Sequence, residues 1–250
     1  MDRDPGVEQE APALRVAFFG GSFDPPHLGH LAIARAARDA LGLNRVLFAP
    51  VGAQPLKPLG STAPFADRVA MTGLAIAGEP AFEVSLVDAP NPEGKPNYTL
   101  ETLRKLRTEL GPRAGLFCLM GADSFVSLRR WRGAAEIPFA ATLIVASRPG
   151  LRLDDLSGLL GNNLSLEPTA PLHLPSESGI DPRSFVVRDP AGRAAPFYLL
   201  PGLDIEISAS AIRGQPQAAP HAQGGPVLPP AVSEYIQAKG LYREHDPRIP

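Results

Sequence analysis

The chain has 250 residues and a mass of 26.4 kDa, enough for one ordinary domain with a buried core. Hydrophobic residues make up 44% and charged residues 20%, which excludes wholesale disorder. Lys and Arg number 24 against 26 Asp and Glu, a net charge of −2, which excludes a nucleic-acid coat or a polybasic membrane binder and leaves any anionic ligand to a few placed cations and backbone amides.

Residues 1–13 are polar and acidic and read as a disordered N-terminal extension, without the basic start and apolar stretch of a signal peptide. No apolar run nears the ~18 residues of a membrane span, so a soluble cytoplasmic protein is expected. Residues 14–250 read as a single domain. Arg15–Phe19 and Arg45–Ala49 are buried strands by pattern. Between them Ile33, Ala36, Ala37, Ala40 and Leu41 share one face of a helix over Leu31–Leu41, which Gly42 closes. A long strand–helix–strand connection implies parallel strands and a right-handed crossover. A helix over Phe65–Ala77, an alternating strand over Phe82–Leu86 and a helix over Thr99–Leu110 follow, the last stopped by Gly111-Pro112. Leu116–Met120 and Thr142–Ala146 are two further short buried strands. The single cysteine, Cys118, lies inside the first of them and reads as a core thiol in a reducing compartment. Residues 151–200, rich in Pro, Gly, Ser and Asn, read as a variable excursion in which only Phe185–Arg188 and Phe197–Leu200 look strand-like. A strand over Leu203–Ile207, a loop over 214–229 and a helix over Pro230–Lys239, ended by Gly240, complete the chain. The sum is an α/β fold, a doubly wound parallel sheet, whose ligands sit outside the carboxyl ends of the strands.

Two segments carry chemistry. The first runs Gly20-Gly21-Ser22-Phe23-Asp24-Pro25-Pro26-His27-Leu28-Gly29-His30, from the first strand into the first helix. Its glycines let backbone approach a ligand, and free amides at a helix start attract phosphate oxygens. His27 and His30, three apart, fall on one side of the first turn. Two imidazoles beside exposed amides suit the charge of a transferring phosphoryl group. The turn has neither the Walker spacing nor that of dinucleotide binders. Either His equally suits a helix cap, and the pair a metal, although no Cys or further nearby His completes a metal set. The second segment is Ile207-Ser208-Ala209-Ser210-Ala211-Ile212-Arg213. Ser208 is placed as an N-cap, Ser210 adds a hydroxyl, and Arg213 a fixed positive fork. Alone it is an ordinary helix start; beside the first segment it becomes a second anion grip.

His27-Leu28-Gly29-His30 and Ile207–Arg213 resemble the two signatures of the nucleotidyltransferase superfamily. The chain is similar, more narrowly, to the bacterial nicotinate-nucleotide adenylyltransferases. Pro96-Asn97-Tyr98-Thr99-Leu100-Glu101-Thr102-Leu103, Gly121-Ala122-Asp123-Ser124, Trp131, Ser147-Arg148-Pro149-Gly150 and Leu228-Pro229-Pro230 through Gly240-Leu241-Tyr242-Arg243 carry that resemblance. It runs from about Arg15 to Arg243, with 151–200 poorly covered.

The resemblance implies a Rossmann-like fold of the nucleotidyltransferase type and a reaction: ATP and nicotinate mononucleotide give deamido-NAD and pyrophosphate by direct attack on the α-phosphorus. Mg²⁺ assists as a cofactor held mainly by the ATP phosphates. It implies His30 and His27 as catalytic residues, with Gly20, Gly21, Ser22, Phe23, Gly121, Asp123, Ser208, Ser210 and Arg213 as further ATP contacts. Lys57, Tyr98, Thr99, Trp131, Arg132 and Arg148 would meet the mononucleotide. Trp131 would stack on the pyridine ring, worth about 0.5–2 kcal/mol for a pyridinium over an indole face. Without the resemblance, Asp123 and Thr99 are helix caps, Trp131 is core filler or an exposed anchor, and Lys57 and Arg148 are solvated cations.

Two positions depart from the family pattern. Leu56 stands where a His is common, which puts the phosphate contacts of that loop in question, and Arg132 stands where an aromatic often follows the Trp. Arg132 is expected to favour the acid over the amide. The implied partners are the two small-molecule substrates, with no nucleic acid and no membrane; oligomeric state stays open, a homo-oligomer included. The alternatives are another adenylyltransferase with this signature, acting on nicotinamide mononucleotide or pantetheine phosphate, and a non-catalytic nucleotide sensor. Trp131 and Tyr98-Thr99 speak against the pantetheine acceptor, and the presence of both histidines against the sensor. A class I aminoacyl-tRNA synthetase shares the His signature, but the chain has no Lys-Met-Ser-Lys-Ser-like loop, anticodon domain or basic surplus.

Overall fold

A computed structural model describes residues 14–56, 60–147, 156–161, 163–170, 180–203, 209–214 and 226–242. Eight strands form one sheet: β1 (Arg15–Gly21), β2 (Arg45–Pro50), β3 (Phe82–Val84), β4 (Gly115–Gly121), β5 (Thr142–Ala146), β6 (Ser165–Pro168), β7 (Arg183–Arg188) and β8 (Ala194–Leu200). Their order is β3-β2-β1-β4-β5-β8-β7-β6. The helices are α1 (Leu28–Leu41), α2 (Phe65–Ala75), α3 (Thr99–Leu110), α4 (Ala122–Ser127), α5 (Ile137–Ala140), α6 (Leu156–Leu160), α7 (Ala209–Gly214) and α8 (Pro230–Lys239), among the described residues.

The strands from β3 through β8 in that order pair in parallel, as expected of a doubly wound sheet. One edge of the sheet is antiparallel, where β7 runs antiparallel to β8 and β6 antiparallel to β7. The cause is local. Asp189 accepts the Arg193 amide at 2.8 Å, and Gly192 sits at φ 85°, a tight turn that returns the chain beside itself. The described part of residues 151–200 therefore supplies three strands of the sheet.

Several boundaries shift. α1 begins at Leu28 rather than Leu31, α2 ends at Ala75 rather than Ala77, and β3 stops at Val84 rather than Leu86. Leu203 is not in a strand, and the rest of the strand expected over Leu203–Ile207 lies outside the described residues. Of the loop expected over 214–229, Gly214 closes α7, residues 226–229 are non-helical, and 215–225 lie outside the described residues.

The central strands β1, β2, β4 and β5 are buried on both faces, which explains their unbroken apolar runs. In β1, Ala17 and Phe19 enter the core packed by α1, α2 and α8, while Val16 and Phe18 enter the core packed by α3 to α6. That alternation is the two-residue period of a strand. The order runs 3-2-1 on one side and 4-5 on the other. The reversal between β1 and β4 opens a crevice at their carboxyl ends, where the first motif leaves β1.

Candidate active site

β1 runs out into the glycine turn. A Cβ on Gly20 would stand 2.5 Å from the Phe18 ring, so any side chain there would have to displace that ring. Phe23 is buried at 1% exposure and meets Phe19 and His30 edge-on, with ring centres 5.6 and 5.0 Å apart. His27 is the N-cap of α1, and its amide donates to Nδ1 of His30 at 3.1 Å. The two imidazoles stack with centres 3.7 Å apart. Because Nδ1 of His30 accepts, a neutral His30 carries its proton on Nε2. Burial pushes His27 down to about 4. Burial, and then the charge His27 would carry, hold His30 well below the usual range. Both imidazoles are neutral at pH 7, and Nδ1 of His27 is buried without a hydrogen-bond partner. A bound polyanion would raise both values.

Both histidines line one cleft of about 1020 Å³. Gly20, Gly21, Ser22 and Phe23 form one wall, Gly121 and Asp123 a second, and Arg213 a third. Arg213 Nη1 donates to the Asp24 carbonyl at 2.8 Å and Nη2 to the Ser210 hydroxyl at 3.1 Å. The two motifs therefore do converge, although they lie at opposite ends of the chain. Ser210 is exposed and touches Arg213 without lining the cleft, so its expected role is displaced to holding the guanidinium. Ser208, Lys57 and Arg148 lie outside the described residues.

Tyr98, Thr99, Trp131 and Arg132 line the other half of the cleft. The N-cap of α3 is Tyr98, with Thr99 its first helical residue, which corrects the reading of Thr99 as a cap. No side chain caps this helix, so its first amides and the positive end of its dipole remain available to an anion. The Trp131 indole N–H donates to Ser127 Oγ at 3.1 Å, and Ser127 donates to the Ser124 carbonyl at 2.9 Å. The plate is thus held in one orientation. Arg132 lies 4.6 Å over the Tyr98 ring and 3.5 Å from Glu101, so part of its positive potential is already balanced.

Three residues were missed. Arg68, 2% exposed, donates to the carbonyls of Ser22 at 2.7 Å, Val51 at 2.9 Å and Ala63 at 3.3 Å. It registers the turn after β1 against the loop after β2. The signal was its place with Met71, Thr72 and Ala75 on the buried face of α2. Asp24, 4% exposed, stood inside the first motif, unused. Asp88, also 4% exposed and lining the cleft, accepts the Thr102 hydroxyl at 2.7 Å, and burial raises its carboxyl. No periodicity marked it.

The cytidylyltransferase-like family matches the chain over residues 18–215. A protein of Pelobacter propionicus named "Probable nicotinate-nucleotide adenylyltransferase" is 37% identical over 92% of this chain and 99% of its own length. One of the same name from Stenotrophomonas maltophilia is 40% identical over 94% and 99%. Among solved structures, the Plasmodium falciparum nicotinic acid mononucleotide adenylyltransferase complexed with NaAD superposes with a TM-score of 0.62. It is 15% identical over 92% of this chain and 97% of that one, so it speaks for the fold alone. Among the described residues no helix is long and apolar enough to cross a membrane.

Proposed function

The chain belongs to the cytidylyltransferase-like family and, within it, to the nicotinate-nucleotide adenylyltransferases, and we infer that it transfers the adenylyl group of ATP to nicotinate mononucleotide, giving deamido-NAD and pyrophosphate in NAD biosynthesis. One observation carries the chemistry: the paired imidazoles and Arg213, 183 residues beyond His30, face a single cleft. At about 1020 Å³ it matches the upper end of small-molecule sites, ~300–1,000 Å³, as two nucleotides require.

A phosphate oxygen of the mononucleotide attacks the α-phosphorus. The new O–P bond forms as the bond to pyrophosphate breaks, and the enzyme carries no covalent intermediate. The attacker is already an anion, so no general base is needed; the task is alignment and neutralisation. In this reading the Nε2–H of His30 donates to the transferring phosphoryl group, with His27 beside it. Burial keeps both neutral while the cleft is empty, and the triphosphate then draws protons toward them. The amides of Gly20, Gly21 and Ser22 add donors, Phe23 braces the ring of His30, and Arg213, held by Ser210 and joined by Ser208, takes the outer phosphates. Gly121 and Asp123 bound the adenosine. Trp131 stacks on the pyridinium, the open end of α3 at Tyr98 and Thr99 takes the ring carboxylate, and Lys57 and Arg148 are assigned the mononucleotide phosphate.

Among the described residues no three of His, Cys, Asp and Glu gather as a metal set. Neutral imidazoles and one guanidinium leave a triphosphate undercompensated, which suits Mg²⁺ carried on the phosphate oxygens. When bound, it would offset charge on the triphosphate and leaving pyrophosphate. A cytoplasmic location, where ATP and mononucleotides meet, belongs to the same reading.

The test is pyrophosphate release with ATP, Mg²⁺ and one of three acceptors: nicotinate mononucleotide, nicotinamide mononucleotide or phosphopantetheine. The highest kcat/KM is expected with nicotinate mononucleotide. A higher value with phosphopantetheine would overturn the reading.

A further inference from the structure

Between the glycine turn and α1 the chain runs Asp24-Pro25-Pro26-His27. Donors face both carboxylate oxygens of Asp24. Oδ2 accepts the Thr62 amide at 2.6 Å. Oδ1 accepts the Ala63 amide at 3.0 Å and the Tyr242 hydroxyl, 218 residues away, at 2.7 Å. The Asp24 carbonyl accepts Arg213 Nη1. Two prolines follow, each with a locked φ and no N–H, so little freedom separates Asp24 from His27. The His27 amide then meets Nδ1 of His30. A second tether, the Leu28 amide on the Val227 carbonyl at 2.9 Å, holds the next residue.

We propose that Asp24 is a positioning residue for the two histidines and Tyr242 its remote brace. The Tyr242 hydroxyl holds the Asp24 carboxylate, the prolines pass that position to the His27 amide, and the amide fixes which ring nitrogen of His30 carries the proton. The proposal goes beyond the adenylyl-transfer reading and takes that reaction as its premise. The carboxylate is required chemically. An asparagine would turn an NH₂ group toward an N–H or O–H donor. Tyr242 is 2% exposed; burial and then the adjacent Asp24 carboxylate push its hydroxyl up, so it stays a donor throughout the working pH range.

The experiment compares the full chain with Tyr242→Phe, Asp24→Asn, His30→Ala and the Tyr242→Phe/His30→Ala double variant. Turnover is measured per active site, with sites counted by binding of a non-hydrolysable ATP analogue and folding checked by thermal midpoint. Tyr242→Phe is expected to lower kcat about five- to tenfold with the mononucleotide KM within about twofold, and Asp24→Asn about 100-fold. In the His30→Ala background the same Tyr242→Phe change should cost less than about twofold, since the donor it aligns is gone. A merely structural hydroxyl would lower the folded fraction and leave turnover per site unchanged. Wild-type kcat in Tyr242→Phe, or an equal loss with and without His30, overturns the proposal. If Asp24→Asn does not fold, the Tyr242 cycle decides alone. A readout independent of turnover is nitrogen-edited NMR of the ligand-free protein. It should report the Nε2–H form of His30 in the wild type and a mixture of tautomers in Tyr242→Phe. Unchanged ring-nitrogen shifts overturn the relay even if the chain proves inactive, so failure of the reaction and failure of the relay are told apart.

Discussion

Acidification of the ligand-free protein tests the neutral histidine pair directly. His27 is 7% exposed, and burial lowers it from 6.5 to about 4. Between those values the unfolded chain binds a proton that the folded chain refuses. Stability is therefore fully present above pH 6.5 and is lost as pH falls toward 4. Integrated to pH 5, His27 alone costs ~2 kcal/mol. For a domain of this size that is about 4–8 °C in Tm. His30 is shifted in the same direction and adds to the loss. Asp88, whose carboxyl burial raises, opposes it as it protonates. The comparison that isolates the effect is His27→Asn, which keeps a good N-cap at that position and cannot titrate. Thermal midpoints of both proteins are measured from pH 8 to pH 5 without nucleotide. The wild type should lose about 4–8 °C more than the variant. Parallel curves would refute the claim that this imidazole is held neutral by burial. With the ATP analogue bound, the gap should narrow, because an anion over the ring favours its charged form.

His30→Ala should lower kcat about 10²–10³, the scale of one lost transition-state donor, with much smaller changes in KM; turnover near wild type would remove His30 from the cradle. Arg132→Ala should reduce the acid-over-amide ratio of kcat/KM by less than about tenfold, because Arg132 is exposed and already paired with Glu101. An unchanged ratio would dispose of its role in selectivity. Cys118 is 2% exposed and burial pushes its thiol up to about 12. A thiol reagent at pH 8 should label the native protein only as fast as it unfolds, and rapid labelling would contradict the burial.

Regular periodicity made most of the sheet legible. Thr99–Leu110, Thr142–Ala146 and Pro230–Lys239 have the bounds read from pattern alone, the two helices because each combines an apolar face with a stop or a start residue and the strand because it is a continuous apolar run. Residues 183–200 were harder. β7 and β8 mix buried and exposed positions, and turn-forming residues surround them, so their sheet pairing depends on the hairpin at Asp189 and not on a continuous apolar run. In the cleft, His27, His30 and Arg213 could be read because their chemistry stands in short motifs. Asp24, Arg68 and Asp88 could not. Their importance comes from which carbonyls, amides and hydroxyls the folded chain brings against them, and the decisive partners lie up to 218 residues away.

The bond between Tyr242 and Asp24 also sets an order of events during synthesis. At roughly 5–20 residues per second, the 218 residues that separate them take ~10–45 s to translate. Over that interval the growing polypeptide already contains both imidazoles, the Thr62 and Ala63 amides that hold the Asp24 carboxylate and, later, the guanidinium, but not the hydroxyl that completes the clamp. An unfinished copy on the ribosome therefore lacks the last of the donors that hold the entry of α1, which arrives only when Tyr242 packs against Asp24.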